Sequence, residues 1–281
     1  MKKCLRSWWI IILIQIVTGN LYAQKTFQIY KTETPPLIDG FVNDETWDHL
    51  SSIDTFLQRE PMLGEPLSEN TEVFVCFDSQ FLYFGIKCYQ PEETVFAKQM
   101  KFDESYYTDD RFAIILDTYS DHRTAYFIGI NALGGREDAI IQGNSMNSSW
   151  NGLWKGKAQI TSEGWEAEIA LPFRSLSFDK KSDSWGLVMN RFITKKREWG
   201  SWPVANINAS QFSIAETGML KGLTGITHGV GIDFSPYFIT GFDAKNGEKP
   251  EMKLNAGADL YYQIAPNLKA ALSINTDFAE T

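Results

Sequence analysis

The sequence predicts an all-β protein, and three observations carry that expectation. Short apolar runs rich in β-branched and aromatic residues recur with turn signals between them. Helical periodicity is scarce. From about Gly231 the pattern changes to strict apolar–polar alternation over about ten residues at a time, as in outer-membrane strands. The expected architecture is an antiparallel β-sandwich over residues 25–225, followed over 226–281 by the first strands of a β-barrel-like region.

The first 23 residues read as a secretory signal peptide. Lys2, Lys3 and Arg6 precede an apolar stretch from Trp8 to Val17, and Leu21-Tyr22-Ala23 offers a small-residue cleavage site. Removing 23 of 281 residues leaves 258, and losing three basic groups takes the formal charge from −9 to −12. So acidic a chain lacks the basic face that nucleic-acid binding needs. The expected location is the cell envelope, at the outer membrane of a Gram-negative bacterium.

The sandwich strands are expected at Glu72–Phe77, Leu82–Cys88, Phe112–Leu116, Ala125–Asn131, Ala158–Thr161, Gly164–Ala170 and Gly186–Ile193. Asp44 to Leu50 suggests one short helix with Trp47 inward, and Pro172 to Leu176 a further turn opening on proline. With Asp78 facing Phe81 across a turn, Cys76 faces Tyr83 and Cys88 faces Thr71. The two thiols then point to opposite sheet faces, so both are expected free, with Cys88 in the core.

The chain is organised around Asp109 to Asn131. Phe112, Ile114 and Leu116 alternate with Ala113 and Ile115, so this strand is apolar on both faces and belongs in the middle of a sheet. Its polar link, Asp117 to Arg123, forms a rim where loops carry function.

In the tail, Gly231–Phe242, Met252–Gln263 and Leu268–Ile274 alternate strictly. Leu254, Ala256, Ala258, Leu260 and Tyr262 share one face, opposite Lys253, Asn255, Gly257, Asp259 and Tyr261. A polar loop from Ala244 to Glu251 and a tight turn at Ala265-Pro-Asn267 link these strands. Three strands are fewer than a barrel needs, so the chain is expected to be the N-terminal part of a longer protein. A meander wetted on one side is the alternative.

A family resemblance rests on Pro35-Pro-Leu-Ile-Asp-Gly40 with Asp44-Glu45 and Trp47, on Thr71 to Asp78, and on Leu82-Tyr-Phe-Gly85. It continues through Asp109-Asp110, Leu116-Asp-Thr-Tyr119, Arg123 and Asn131 to Trp150-Asn-Gly-Leu-Trp154 and Gly164 to Phe173. Together these resemble the carbohydrate-binding module family 9-like domain, in the version found at the N-terminus of bacterial outer-membrane proteins with an uncharacterised barrel. The resemblance implies a sandwich that binds a saccharide, requires no cofactor, and in some members holds structural calcium. It also carries an association with hydrolysis of O-glycosyl compounds.

Sugar recognition needs aromatic faces ringed by planar hydrogen-bonding groups. Trp165 and Trp185 lie in strand-like runs and are expected in the core, with Trp47. Trp150 and Trp154 enclose the turn signal Asn151-Gly152, so they are candidate stacking platforms or, alternatively, plugs for one end of the sandwich. The candidate binding set is Trp150, Trp154, Asn151, Arg123 and Asp110. Trp199 and Trp202 form a further loop pair.

Asp109, Asp110, Asp117 and Asp121 could supply oxygens to calcium or simply cap turns, in no EF-hand pattern. Glu166, Glu168 and Asp138 are the carboxyls a glycosidase would need in pairs. His49, His122 and His228 have no zinc-binding spacing, and the sequence points to no catalytic residue. Three functions are therefore weighed: a carbohydrate-binding domain, a structural or gating domain of a barrel protein, and an O-glycosyl hydrolase.

Overall fold

The computed structural model describes residues 24–275, apart from 102–106, 144, 204–207, 209, 211, 228–231, 244–250 and 266–267. The signal peptide, His228, most of the Ala244–Glu251 loop and the Pro-Asn turn lie outside the described residues.

Among the described residues, eighteen strands and one short α-helix follow in chain order. β1 (Thr26–Gln28) and β2 (Tyr30–Lys31) precede α1 (Glu45–Asp48), β3 (Ser52–Ile53) and β4 (Leu57–Glu60). Next come β5 (Thr71–Phe77), β6 (Phe81–Tyr89), β7 (Arg111–Asp117), β8 (Thr124–Asn131), β9 (Arg136–Gln142) and β10 (Ser145–Asn147). β11 (Lys155–Thr161), β12 (Gly164–Pro172), β13 (Ser184–Ile193), β14 (Glu198–Trp202) and β15 (Gly218–Lys221) complete the sandwich. The tail forms β16 (Ile232–Asp243), β17 (Glu251–Ala265) and β18 (Leu268–Ile274).

A nine-stranded sheet has the path β1-β15-β13-β7-β8-β9-β10, with β14 pairing β13 and β4 pairing β14. A six-stranded sheet runs β11-β12-β6-β5-β2, with β3 also on β5. β1 pairs β15 and β2 pairs β5 in parallel, so both sheets are mixed.

Side-chain alternation fixes what lies between the sheets. Phe112, Ile114, Leu116, Trp185, Leu187 and Met189 point inward from one sheet. Val73, Val75, Phe84, Ile86, Trp165 and Ile169 meet them from the other. The hairpin register is the expected one, with Thr71 opposite Cys88 and Cys76 opposite Tyr83. Both cysteines are free and buried.

The outer faces are also covered. Beyond the six-stranded sheet, Val42 and Trp47 pack on Cys76, Tyr83 and Ala170. Glu168 Oε2 accepts the N–H groups of Asp39 and Gly40 at 2.9 and 3.0 Å, and Oε1 accepts Trp47 Nε1–H at 3.0 Å. Beyond the nine-stranded sheet, Ile214 and Phe212 pack on Ala113, Ile115, Phe127 and Val188. This second cover explains why β7 is apolar on both faces.

The tail strands form a separate three-stranded antiparallel sheet, β16-β17-β18. Phe234 lies opposite Leu260 and Leu260 opposite Leu272, so the apolar residues share one face. Phe234, Phe238, Leu272 and Ile274 are 61%, 76%, 59% and 62% exposed. Among the described residues no helix is long and apolar enough to cross a membrane.

Candidate functional site

A cleft of about 640 Å³ opens at one end of the nine-stranded sheet, on its outer face. Its size is that of small-molecule sites. Arg111 comes from β7, Phe192 from β13, and Glu198 with Trp199 from β14. The connection from β6 to β7 adds Phe96, Lys98, Tyr107 and Thr108, and the turn after β13 adds Thr194 and Arg197.

Rings and guanidinium groups alternate along the wall. Arg59 lies over the Trp199 ring, 3.9 Å from its centroid. Trp199 stacks beside Phe192 at 5.1 Å and 29°, because the two are cross-strand partners. Arg111 lies 4.0 Å from the Phe192 centroid and 4.4 Å from that of Tyr107. Glu137 pairs with Arg111 at 3.3 Å. Burial lowers the pKa of the Arg111 guanidinium, opposed by Glu137, and burial likewise lowers that of Arg59. Both remain cations at neutral pH, since arginine starts from such a high value.

The cleft wall is held from beneath by two adjacent aspartates. Asp110 accepts Thr194 N–H on Oδ1 at 2.6 Å, and Phe96 N–H and Gln90 Nε2–H on Oδ2 at 3.0 and 2.7 Å. Asp109 Oδ2 accepts the N–H groups of Lys98 and Gln99, both at 3.0 Å. Gln90 Oε1 in turn accepts Arg191 Nη2–H at 2.9 Å. Arg191 is fully buried and ties the ends of the two sheets together. Its Nη1 donates to Glu69 O, Asn70 O and Thr71 Oγ1, and its Nη2 also to Tyr89 O.

The five residues expected to bind sugar are not brought together. Asp110 is buried beneath the cleft wall, where it positions Phe96 and Thr194 rather than facing a ligand. Arg123 is exposed at the opposite end of the β7–β8 hairpin. Trp154 is only 6% exposed, and its Nε1–H is given to Asp138 Oδ2 at 2.7 Å. Trp150 is partly buried, 5.0 Å from the Tyr126 ring, and lies so close over Gly152 that a Cβ there would fall 2.6 Å from it. Both indoles therefore plug the sandwich, and Asn151 is the exposed residue between them.

The remaining acids serve as acceptors for chain N–H groups. Asp117 accepts those of Asp121 and His122, and Asp121 those of Arg123 and Thr124. Glu166 accepts Val42 N–H at 2.7 Å, on the same strand face as Glu168. With these oxygens facing donors, the set does not fit a calcium ion, which needs six to eight convergent oxygens. Among the described residues no group of three or more His, Cys, Asp or Glu side chains is placed to hold a metal.

Tyr107, Arg111 and Phe192 drew no attention in the sequence. Their only signal was an aromatic or basic residue at the strand end preceding or closing an apolar run.

No family model matches this sequence, and no curated protein does. Several solved structures share the fold of about 70% of the chain. One is a carbohydrate-binding module of family 9 from Caldicellulosiruptor kristjanssonii in complex with glucose, with a TM-score of 0.52 and 15% identity over 69% of this chain and 95% of that one. The same source provides a family 9 module in complex with cellotriose, with a TM-score of 0.51 and 16% identity over 72% and 95%. A candidate carbohydrate-binding protein from Bacteroides uniformis gives a TM-score of 0.58 and 13% identity over 71% and 99%. The chain is thus an all-β protein whose sandwich has the architecture of family 9 modules.

Proposed function

We propose that this chain is a carbohydrate-binding protein of the cell envelope, and that the cleft beside Trp199 holds the saccharide. The observation carrying this is the wall of rings and guanidinium groups in a sandwich with this fold. Tyr107, 54% exposed, offers an apolar ring face to a pyranose, and the partly buried Trp199, stacked between Phe192 and Arg59, borders it. Lys98, Arg197 and Glu60 supply donors and an acceptor for its hydroxyls, with the buried Arg111 holding the rings in place. The family 9 neighbours hold glucose and cellotriose, which favours a saccharide over other small molecules.

The envelope part of the proposal rests on the tail and the leader. A sheet with an exposed apolar face of Phe234, Phe238, Leu260, Leu272 and Ile274, and strands of 12 and 15 residues, suits insertion into an outer membrane. The first 23 residues suit export. A catalytic role has less support, because Glu166, Glu168 and Asp138 all receive internal hydrogen bonds.

The test is calorimetric titration of the whole chain with a panel of neutral and acidic oligosaccharides, beside the Tyr107→Ala and Trp199→Ala variants. Stacking on one ring contributes about 1–3 kcal/mol, so each variant should lose about fivefold or more in affinity. No binding by the folded chain, or binding that both variants retain, would refute the cleft as the site.

A further inference from the structure

Granting that the cleft is a saccharide site, we infer that its ligand is an acidic saccharide, a uronate whose carboxylate sits between Lys98 and Arg197. The chain as a whole is acidic, with a formal net charge of −9, yet this cleft is lined by Lys98, Arg111 and Arg197, and Arg59 lies over its Trp199 ring. Five acids surround the same wall, namely Glu60, Glu198, Glu137, Asp109 and Asp110, so attraction of an anion comes from the exposed groups alone, Lys98 and Arg197 against Glu60.

The acids of the same wall are disposed of in different ways. Glu198 is 5% exposed, and its Oε1 accepts Ser68 N–H at 2.7 Å. Glu137 faces Arg111. Glu60 is at the exposed end of β4. The neighbouring lysines point elsewhere: Lys196 Nζ pairs with Glu69, and Lys195 Nζ donates to Glu93 O.

Lys98 and Arg197 are the exposed cations of the lining. Both are placed by the backbone. Lys98 N–H is anchored on Asp109, and its ammonium lies 4.7 Å from the Phe96 centroid. Arg197 closes the turn after β13 in the left-handed region, at φ 51°, with its N–H on Thr194 O. An exposed ammonium and guanidinium flanking ring faces can bind a carboxylate on a pyranose: the sugar ring stacks while the charge-assisted hydrogen bonds select the acid.

Oligogalacturonate, cellotriose and a sulfated oligosaccharide of equal length test this with the whole chain, at low and high salt. The uronate should bind at least about tenfold more tightly than cellotriose, a difference of about 1.4 kcal/mol. That preference should shrink in 1 M salt, where the Debye length is about 3 Å. Lys98→Gln with Arg197→Gln should remove the preference, lowering uronate affinity at least about tenfold more than cellotriose affinity, because both side chains are exposed and the rings stay in place. Equal binding of uronate and cellotriose, both abolished by Trp199→Ala, would overturn the acidic ligand while keeping the saccharide site. Tighter binding of the sulfated chain than of the uronate would overturn the carboxylate assignment. No saccharide binding by the folded chain would remove both.

Discussion

Arg191→Met should be among the most damaging single substitutions in the sandwich, and its effect should reach the cleft. The side chain is fully buried and gives its protons to five acceptors, at 2.6 to 3.2 Å. Three are backbone carbonyls of the segments around β5 and β6, so one residue of the nine-stranded sheet closes the edge of the other. Methionine has similar length and no donor, so those acceptors would be left buried without it. Each unsatisfied group costs about 1–3 kcal/mol, but losing the desolvation of the cation offsets part of this. The net expectation is a loss of about 3–5 kcal/mol, the range for breaking a buried charge network. In urea, with a slope of about 1–3 kcal/mol per M, the midpoint should fall by at least about 1 M. Tryptophan fluorescence during urea unfolding measures this. Arg123→Met, on the exposed rim, is the comparison and should stay within about 0.5 kcal/mol. A loss below about 1 kcal/mol for Arg191→Met would refute the view that this guanidinium joins the sheets.

Asp110→Asn should weaken saccharide binding by loosening the cleft wall, since either amide orientation sets an NH₂ against Phe96 and Gln90 or against Thr194. Titration and urea unfolding together should show a loss of about 1–3 kcal/mol in stability. Glu168→Gln should cost a similar amount, about 1–3 kcal/mol, because one oxygen then becomes a donor facing Trp47 Nε1 or the Asp39 and Gly40 N–H groups. Gly164→Ala should be severe, with soluble yield or thermal midpoint as the readout: φ is 139°, and a Cβ would lie 2.1 Å from Cys88 O. Burial pushes the thiols of Cys76 and Cys88 from 9.0 up to about 12. The fold thus keeps protons that the unfolded chain releases, so stability is full below pH 9 and falls as pH rises towards 12, by about 1.4 kcal/mol per pH unit for each thiol. Unfolding series at pH 8 to 11 should show a smaller slope in Cys76→Ala; an unchanged slope would contradict the shift.

Periodicity made the central strands legible. Alternation in Thr71–Phe77 and Phe81–Tyr89 fixes which residues face the core, and the turn at Asp78 fixes the register down to the cysteine positions. Trp47, Trp165 and Trp185 lie where their apolar runs put them, at 2%, 1% and 0% exposure. Short strands such as β14 and β15 have little signal of their own, because Glu198–Trp202 and Gly218–Lys221 are held by pairing with strands on both sides rather than by their own propensity. The cleft was largely hidden for a related reason. Tyr107 and Arg111 are far in sequence from Phe192 and Trp199, and the two pairs meet only through the β7–β13–β14 pairing. Trp150 and Trp154 advertised themselves by flanking a glycine turn, yet the same glycine lets Trp150 fold down onto the sandwich. A loop tryptophan may be exposed or buried on the same local sequence; the neighbouring Asp138, accepting the Trp154 indole N–H, decided it here.

A crystal structure of the whole chain with a bound oligosaccharide, chosen from the tightest binder of the panel, is the direct test. The saccharide ring should stack on Tyr107 beside Trp199, with its polar groups reaching Lys98 or Arg197. A saccharide ordered instead against Trp150 and Asn151, with the Trp199 cleft empty, would contradict the proposed site.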